Sequence, residues 1–380
     1  MLKFKFISSL FTKQSSVRLS NSVYINNNIR KMTTGTNSKP KVLRFGPIRY
    51  AQDTWKDLSE IAEIVESSAK NREEFIEELK NGKFDDVSVI SRTFESVSIT
   101  GRIDEELVAL FPKSIKSICH SGAGYDQVDT APLIERKIQL SNSPSVVDNA
   151  TADTAVYLLL SCLRNFQLSH HNLLEGRWQK EKCAGTPVGH DPSSQVLGIL
   201  GMGGIGRTIR DRLIPFGFKK IIYYNRHRLP EELEKGAEYV TLDQLLSQSD
   251  VIAISVPLNA NTKHLINEKT ISQMKDGVII VNTSRGPVID EIELIKNLKN
   301  GKITSCGLDV FENEPNAREE LYNLSNCVSL PHMGTHSVET IKAIEDCNVK
   351  NCTAFIKNGK VEDLVSELQK SNLYWPIGNL

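Results

Sequence analysis

The sequence predicts an α/β protein built from two Rossmann-like, doubly wound domains with a cleft between them. From residue 41 onwards, short apolar segments alternate with helical stretches, which is typical of parallel sheets covered by helices on both faces. A helical segment from about residue 149 to residue 175 divides this alternation into two patterns, and we expect it to join the two domains. A glycine-rich turn opens the second pattern, as in nucleotide-binding domains.

The composition is that of a soluble globular protein. The 380 residues are 39% hydrophobic and 24% charged, and their formal net charge is zero. A balanced charge predicts neither nucleic acid nor a membrane surface as a partner. The seven cysteines include no C-x-x-C pair, so we expect free thiols in a reducing compartment and no metal site.

Residues 1–31 differ from the rest of the chain. They contain six lysines and arginines and no acidic residue, and the first carboxylate of the chain is Asp53. A basic, serine-rich and acid-poor segment with a short amphipathic stretch is typical of mitochondrial presequences. The alternative is a second translation start at Met32. We therefore exclude residues 1–40 from the fold and expect a location in the mitochondrial matrix, the cytoplasm, or both.

Each of the two patterns contains short apolar segments that we interpret as strands. In the first pattern they are residues 41–48, 87–94, 115–122 and 138–143. Between the first two of these, apolar residues recur at helical spacing, which predicts a helix over residues 54–80. In the second pattern the strand candidates are residues 195–201, 220–225, 250–258, 277–286, 304–311 and 327–334. The last stretch, residues 338–380, begins as an amphipathic helix.

The second pattern opens on a G-x-G-x-x-G turn between an apolar segment and a helix, which is the context that dinucleotide binding requires. Gly201 makes the tight turn, Gly203 lets the backbone approach a pyrophosphate, and Gly206 lets helix and strand pack closely. Gly204 and Ile205 lie at the start of the helix, where free N–H groups and the positive end of the helix dipole favour phosphate. The alternative is a purely structural glycine turn.

The next strand candidate ends without the acidic residue that binds the ribose hydroxyls of NAD. Asn225 is followed by Arg226 and Arg228, and the first acid is Glu231. No carboxylate is placed to repel a 2′-phosphate, and two guanidinium groups are near enough to pair with one. We therefore predict NADPH as the cofactor, with NADH as a weaker one. The alternative is that both arginines are ordinary solvated charges.

Three strand ends of the second pattern carry Arg285, Glu314 and His332. The carboxyl ends of parallel strands meet at one crevice, so we expect these side chains to converge. An arginine binds a carboxylate bidentately, and a histidine gives a proton near neutral pH. A carboxylate beside the histidine orients the ring and favours its protonated form. These residue types suit hydride transfer from a nicotinamide to a 2-oxo acid.

Residue type and spacing leave competing candidates at this crevice. Glu312 and Asp309 are alternatives to Glu314 as the acid, and His336 is an alternative to His332. An arginine before a glycine is also common at surface turns. The residues alone therefore leave the assignment open.

Together, these segments resemble the D-isomer-specific 2-hydroxyacid dehydrogenase family, and within it the fungal glyoxylate reductases. The resemblance covers nearly all of residues 41–360, and the N-terminal extension is the one departure from the family pattern. It rests on the glycine turn and on the blocks HSGAGYDQVD, NATADT, YNRHRLP, SDVIAISVPLNANTKHLIN, MKDGVIIVNTSRGPVID, GLDVFENEP and LPHMGTHSVET.

The resemblance implies a role for each matching residue. Arg285 matches the substrate-binding arginine, His332 the acid–base histidine and Glu314 the carboxylate that partners it, so Glu312 and His336 become second choices. The loop amides that hold the substrate carboxylate fall at Ala123 and Gly124. The positions on the side of the dinucleotide are Thr151, Pro257, Thr283, Asp309 and Gly334.

The resemblance also implies a discontinuous substrate domain, residues 41–148 and 337–380, and a dinucleotide-binding domain, residues 149–336. Members of the family are usually homodimers formed through the dinucleotide-binding domain, so we expect a homodimer. The predicted function is the NADPH-dependent reduction of a small 2-oxo acid, such as glyoxylate or hydroxypyruvate, to the D-2-hydroxy acid. The alternative is a dinucleotide sensor without enzymatic activity, like the corepressors that share this fold.

Overall fold

The computed structural model of the chain describes residues 39–371 and Trp375. Residues 1–31, the segment predicted as a presequence, lie outside the described residues. Two parallel sheets flanked by helices make up the described part, which confirms the predicted α/β fold class. Of the helices in residues 39–371, none combines the length and the apolar character that crossing a bilayer requires.

The first sheet has five parallel strands: β1 (Lys41–Arg44), β2 (Glu63–Glu66), β3 (Val87–Thr93), β4 (Ser117–Ser121) and β5 (Gln139–Ser141). The helices between them are α1 (Gln52–Ile61), α2 (Arg72–Lys80), α3 (Val97–Thr100), α4 (Glu105–Leu110) and α5 (Thr130–Glu135). The strand order β2-β1-β3-β4-β5 reverses direction between β1 and β3, as in doubly wound sheets. The carboxyl ends of β1 and β3 therefore flank a crevice.

Two helices, α6 (Asp148–Arg164) and α7 (Phe166–Leu174), follow the first sheet. We predicted one helix here, and the break falls at Asn165, whose φ of 53° lies in the left-handed region that asparagine tolerates. Helix α6 packs against the second sheet, where Gly307 makes room for it. A Cβ at Gly307 would lie only 2.8 Å from the Cβ of Leu158.

The second sheet has seven parallel strands: β6 (Val196–Leu200), β7 (Lys220–Tyr224), β8 (Glu238–Tyr239), β9 (Val251–Ile254), β10 (Val278–Asn282), β11 (Ile303–Leu308) and β12 (Cys327–Ser329). Its helices are α8 (Gly204–Leu213), α9 (Glu231–Glu234), α10 (Leu242–Gln248), α11 (Glu268–Gln273), α12 (Glu291–Lys299) and α13 (Glu319–Tyr322). The order β12-β11-β10-β9-β6-β7-β8 is that of a Rossmann domain, with its switch point between β6 and β9.

Two short edge strands depart from the sequence predictions. The helix predicted over residues 54–80 is wrong at β2, which pairs in parallel with β1 through Val42 opposite Ile64 and Leu43 opposite Val65. Strand β8, with two residues, was not predicted at all. Two adjacent apolar residues fit a helix pattern as well as a strand pattern, so periodicity cannot detect such short edges.

The chain returns to the first sheet through α14 (Val338–Asn358), which is followed by α15 (Ser366–Gln369). Helix α14 packs against β4 and β3. Its buried Asn348 accepts a hydrogen bond from Ser91 Oγ at 2.7 Å and donates one to the Cys119 carbonyl at 2.8 Å. Buried hydrogen bonds of a side-chain amide are costly to break, so α14 stays fixed on the first sheet.

Candidate active site

A cleft of about 240 Å³ lies where the carboxyl ends of strands from the two sheets face each other. One wall comes from the ends of β3 and β4, and the other from the ends of β10, β11 and β12. Many of the residues predicted for the site line it: Ala123, Gly124, Thr151, Ile205, Thr283, Arg285, Asp309, His332 and Gly334.

His332 and Glu314 form a hydrogen-bonded pair at this cleft. His332 Nδ1 lies 2.6 Å from Glu314 Oε2, and Glu314 Oε1 accepts the Phe311 N–H at 2.9 Å. Both carboxylate oxygens are thereby engaged, so Glu314 fixes the orientation of the imidazole. The ring of Phe94 packs edge-on against that imidazole, with 5.2 Å between the ring centroids. Nε2 is left as the ring nitrogen available to a substrate.

Asp309 supports the backbone that carries His332. Its carboxylate accepts the N–H groups of Met333 at 2.7 Å and Gly334 at 2.8 Å, and its carbonyl accepts the N–H of His332 at 2.8 Å. His332 has a φ of 51°, a left-handed conformation that is strained for histidine and that these bonds stabilise. Burial raises the pKa of Asp309.

Arg285 reaches from the end of β10 to the loop after β4. Its Nε donates to Asp126 Oδ1 at 2.8 Å, and its Nη1 donates to the Ser284 carbonyl at 2.8 Å. A Cβ at Gly124 would come within 1.9 Å of Nη2, so only glycine allows this approach. The guanidinium also lies 5.7 Å from the centroid of the Phe94 ring. Within residues 39–371, Nη2 has no acceptor and is available to an anion.

The competing candidates differ from Glu314 and His332 in their contacts. Glu312 pairs with His264, away from the cleft. His336 lines the cleft, but none of the carboxylates in the described part of the chain forms an ion pair with it. A carboxylate-paired histidine in the cleft is therefore found at His332.

Four residues of the first sheet that we did not single out from the sequence lie at the cleft or directly behind it: Arg92, Phe94, His120 and Asp126. Each lies at the end of β3 or β4 or in the turn that follows. The rule that functional residues gather at the carboxyl ends of parallel strands, applied to the first sheet as well, would have found them.

The glycine turn has the shape that a dinucleotide needs. Gly201 has a φ of +96°, and a Cβ there would approach the backbone of Ser255 at 2.8 Å. A Cβ at Gly206 would lie 2.2 Å from the Gly201 carbonyl, so this glycine lets α8 pack closely on β6. A Cβ at Gly203 would meet nothing within 4 Å, and α8 begins at the next residue. A pyrophosphate can thus approach the backbone at the start of α8.

The three predicted residues after β7 have different surroundings. Asn225 Oδ1 accepts the Met202 N–H at 2.7 Å and so supports the glycine turn. Arg226 is exposed and forms no direct ion pair within residues 39–371, although its charge, after the hydrogen bond from Tyr125, helps to lower the pKa of Glu367. Arg228 donates from Nε and Nη2 to the two oxygens of Glu234, at 2.8 and 2.9 Å, and lowers the pKa of Glu234 to about 2. Arg228 is therefore not the free cation that we expected beside a phosphate.

The remaining predicted residues lie at strand ends or on α6. Thr151 and Thr283 are buried and line the cleft. Pro257 is exposed after β9, and its carbonyl accepts the Thr262 hydroxyl at 2.6 Å. The Ala123 carbonyl accepts the Asn142 amide at 2.7 Å. Within residues 39–371, no group of three or more His, Cys, Asp or Glu side chains is arranged to hold a metal ion.

Residues 156–334 match the family model of the D-isomer specific 2-hydroxyacid dehydrogenase NAD binding domain. Over 342 residues the chain is 50% identical to glyoxylate reductase 1 of Saccharomyces cerevisiae, and the alignment covers 89% of this chain and 97% of that one. The chain belongs to the D-isomer-specific 2-hydroxyacid dehydrogenase family. It is an oxidoreductase of 2-oxo and 2-hydroxy acids, and its second sheet carries the family's dinucleotide-binding domain.

Two other proteins extend the comparison. The chain is 44% identical over 328 residues to 4-methyl-2-oxopentanoate reductase A of Aspergillus oryzae, covering 86% of this chain and 98% of that one. It also resembles the crystal structure of an NADPH-dependent glyoxylate/hydroxypyruvate reductase from Sinorhizobium meliloti in complex with NADP and malonate. The TM-score is 0.76 and the identity 31%, over 89% of this chain and 98% of that one. The family's cofactor is a nicotinamide dinucleotide.

Proposed function

We propose that the protein reduces a small 2-oxo acid of the glyoxylate and hydroxypyruvate class to the D-2-hydroxy acid, with NADPH as reductant. The observation that carries the proposal is the cleft that holds both the His332–Glu314 pair and Arg285. These residues follow three different strands of the second sheet, and the loop from the first sheet faces them. A cation and a proton donor on one cleft suit the reduction of an oxo acid.

Arg285 is the proposed substrate-binding residue. Asp126 holds its Nε, so the guanidinium keeps one orientation and presents Nη2 to the substrate carboxylate or carbonyl oxygen. The N–H groups of Ala123 and Gly124, which donate to no acceptor within residues 39–371, are the proposed additional donors to the carboxylate. Hydrogen bonds to both the carboxylate and the carbonyl oxygen of the oxo acid hold its carbonyl carbon in a defined position.

His332 is the proposed proton donor. Its Nδ1 is held by Glu314, so the proton that passes to the forming alkoxide leaves from Nε2. Phe94 covers one side of the ring and keeps water from that side. When bound, the nicotinamide supplies the hydride.

The small-acid preference is supported by Phe94, which fills part of the cleft, and by the name of the Saccharomyces relative, glyoxylate reductase 1. The name of the Aspergillus relative makes branched 2-oxo acids the competing substrates. A panel of 2-oxo acids of increasing chain length, from glyoxylate to 4-methyl-2-oxopentanoate, ranks them by kcat/KM. A highest value for the branched acid would correct the substrate class and leave the reaction type unchanged.

The preference for NADPH over NADH is supported by the absence of an acid directly after β7 and by Arg226, which is exposed and forms no direct ion pair within residues 39–371. It is also supported by the Sinorhizobium structure, whose description names NADP. Arg228 supports the preference less, because both oxygens of Glu234 already bind it.

The assay that tests the proposal follows NADPH absorbance with purified protein and each 2-oxo acid. We expect turnover in the wild type, and a loss of about 100-fold or more in kcat when His332→Ala removes the proton donor. The alternative function, a dinucleotide sensor, requires NADPH binding without turnover of any 2-oxo acid.

We also propose a homodimer formed through α6, α7 and the segment that follows. The support is the exposed apolar surface there, since large apolar side chains seldom lie together in solvent unless they meet a partner. Symmetric pairing of the same surface on two copies is the commonest way to cover such a patch.

Residues 1–31 are proposed to act as a mitochondrial presequence. The support is their composition, which is basic and lacks acids. Tagging the full chain and a chain that starts at Met32 distinguishes the two locations: the full chain should reach mitochondria, and the shorter one should stay in the cytoplasm.

A further inference from the structure

A fully buried cation lies directly behind the loop that forms one wall of the cleft. Arg92, near the end of β3, is 0% exposed. Its Nε donates to Ser96 Oγ at 3.1 Å, and its Nη2 donates to Gln127 Oε1 at 2.9 Å. These partners are neutral, and burial lowers the pKa of Arg92 only to about 10, so the guanidinium stays charged at neutral pH. Burying a cation among neutral hydrogen-bond partners costs free energy of folding, which points to a function for Arg92 other than stabilising the fold.

His120 connects Arg92 to the loop. Its ring is also fully buried, with Nδ1 3.4 Å from Arg92 Nη1 and Nε2 2.9 Å from the Gly124 carbonyl. An arginine donates and cannot accept, so Nδ1 is the acceptor and the ring proton is on Nε2, which donates to Gly124. Burial and the charge of Arg92 lower the pKa of His120 to about 3, in agreement with one neutral tautomer.

The charges around this loop do not balance. Asp126 accepts a hydrogen bond from Arg285 Nε at 2.8 Å, and its charge also acts on Arg92, whose pKa it raises against the larger effect of burial. Two guanidinium groups thus lie close to a single carboxylate. Ala123 and Gly124 line the cleft, and their N–H groups donate to no acceptor in the described part of the chain. An anion bound at these two N–H groups would balance the remaining positive charge.

We propose that Arg92 and His120 are positioning residues for the substrate carboxylate. His120 holds the loop through the Gly124 carbonyl, while Arg92 selects the His120 tautomer and supplies a positive potential that the carboxylate neutralises. The inference rests on the proposed reduction of a 2-oxo acid. Neither side chain contacts the reacting atoms, so their removal weakens carboxylate binding, and hence raises KM, more than it slows the chemical step.

The first test compares two replacements of His120. The amide N–H of His120→Gln reaches the position of Nε2 and can still donate to Gly124, whereas His120→Phe keeps the ring size without a donor. We expect His120→Phe to raise KM for glyoxylate about 10- to 100-fold and to lower kcat less. His120→Gln should recover most of this loss. Equal KM values in the two variants would overturn the role of His120.

The second test removes the charge of Arg92. Arg92→Met should raise KM for glyoxylate like His120→Phe, and Arg92→Lys, which keeps the charge, should recover part of the loss. The control is Arg212→Met, which removes an exposed arginine paired with Asp153, outside the cleft, and should leave KM unchanged. An Arg92→Met protein with normal NADPH affinity and wild-type KM overturns the role of Arg92. If Arg92→Met does not fold, the His120 pair decides.

A binding measurement separates this inference from the proposed function. Calorimetry with oxalate, added to the protein saturated with NADP, reports carboxylate binding without turnover. We expect oxalate to bind about tenfold or more weakly to His120→Phe than to His120→Gln. If the wild type reduces no 2-oxo acid, the proposed function fails, and equal oxalate affinities in the two variants would separately overturn the inference.

Discussion

Phe94 contacts both side chains that we propose to act on the substrate. Its ring meets the His332 imidazole edge-on at 5.2 Å, and the Arg285 guanidinium lies 5.7 Å from its centroid. It lines the cleft and is only half-buried, so its exposed face occupies space that a substrate side chain would need. At the residue scale, Phe94 is thus the side chain best placed to limit substrate size.

Replacing Phe94 with alanine should shift the preference towards larger acids. We expect Phe94→Ala to raise kcat/KM for 4-methyl-2-oxopentanoate relative to glyoxylate by about tenfold. A hydrophobic pocket distinguishes substrates that differ by one methylene group by a factor of this size or more. The measurement is kcat/KM for both acids. Tyr322→Ala, which removes an exposed aromatic ring outside the cleft, is the control and should leave the ratio unchanged. An unaltered ratio in Phe94→Ala would show that another side chain sets the size limit.

Arg285 should contribute to both binding and catalysis. We expect Arg285→Ala to raise KM and lower kcat, with a combined loss of about 100- to 1,000-fold in kcat/KM, because the guanidinium both binds the carboxylate and polarises the carbonyl. Arg285→Lys keeps the charge but not the fork, and should lose less. Arg318→Ala removes a partly exposed arginine paired with Glu291, outside the cleft, and serves as the control. Wild-type kinetics in Arg285→Ala would discard its role.

The buried His120 makes stability depend on pH in a defined direction. Burial lowers its pKa from 6.5 to about 3, so between these values the unfolded chain binds a proton that the folded chain does not. The stabilisation from the neutral ring is complete above pH 6.5 and decreases as the pH falls. Between pH 6 and pH 4, the wild type should therefore lose about 1.4 kcal/mol per pH unit relative to His120→Gln. Urea unfolding of both proteins measures this, and a constant difference would contradict it.

At the scale of elements, two arginines after β7 that look equivalent in the sequence, Arg226 and Arg228, differ in their contacts. Arg228 and Glu234 form a two-bond ion pair that connects the end of β7 to α9, while Arg226 forms no direct ion pair within residues 39–371. Removing Arg228 therefore disturbs the local structure as well as any phosphate contact. Cofactor preference is tested more cleanly at Arg226.

Arg226→Glu should weaken NADPH binding far more than NADH binding. A carboxylate at this position repels the 2′-phosphate and can accept the ribose hydroxyls, so we expect the ratio of the two Kd values to change by about 10- to 100-fold. Fluorescence titration of both cofactors measures the ratio. His227→Gln, at the neighbouring exposed position, is the control. Equal weakening of both cofactors would refute the 2′-phosphate interpretation.

The sequence predicted those elements whose pattern is set by their own residues. The central strands β6, β9 and β10 are buried and apolar except for half-buried Val196 and polar Asn282, and the glycine turn has its own steric signature. Two features depend on distant partners instead. The pairing of β2 with β1 requires the folded sheet, and so does the burial of Arg92, because arginine is ordinarily exposed.

The choice between Glu312 and Glu314 could not be made from residue type, because it too depends on contacts with distant parts of the chain. Glu312 and Glu314 are two positions apart, and the backbone turn sends one to His264 and the other to His332. Family resemblance favoured Glu314 before any geometry was known. The hydrogen bonds of both glutamates now give that choice a physical basis.

At the scale of the whole molecule, the apolar surface of residues 157–188 is the surface through which we propose that two copies associate. Six large apolar side chains in this segment are exposed, from 46% at Leu173 to 96% at Val188. They are Tyr157, Phe166, Leu173, Leu174, Trp178 and Val188. The segment belongs to α6, α7 and the turns after them, which lie on the side of the second sheet. None of these side chains lines the cleft, so a dimer formed here would leave the cleft open.

Placing charges on this surface should therefore produce a monomer with an intact cleft. We expect the double variant Leu174→Glu with Trp178→Glu to dissociate, because a symmetric interface would bury four unpaired carboxylates, each at a cost of several kcal/mol. Light scattering during size-exclusion chromatography should give twice the 42.5 kDa chain mass for the wild type and a single chain mass for the variant. Ile292→Glu, at a 61% exposed position on α12, is the control and should remain a dimer. NADPH affinity should be unchanged in both variants, since the glycine turn lies outside the segment. A wild-type mass of one chain would refute the dimer, and a variant that stays dimeric would move the interface to another surface.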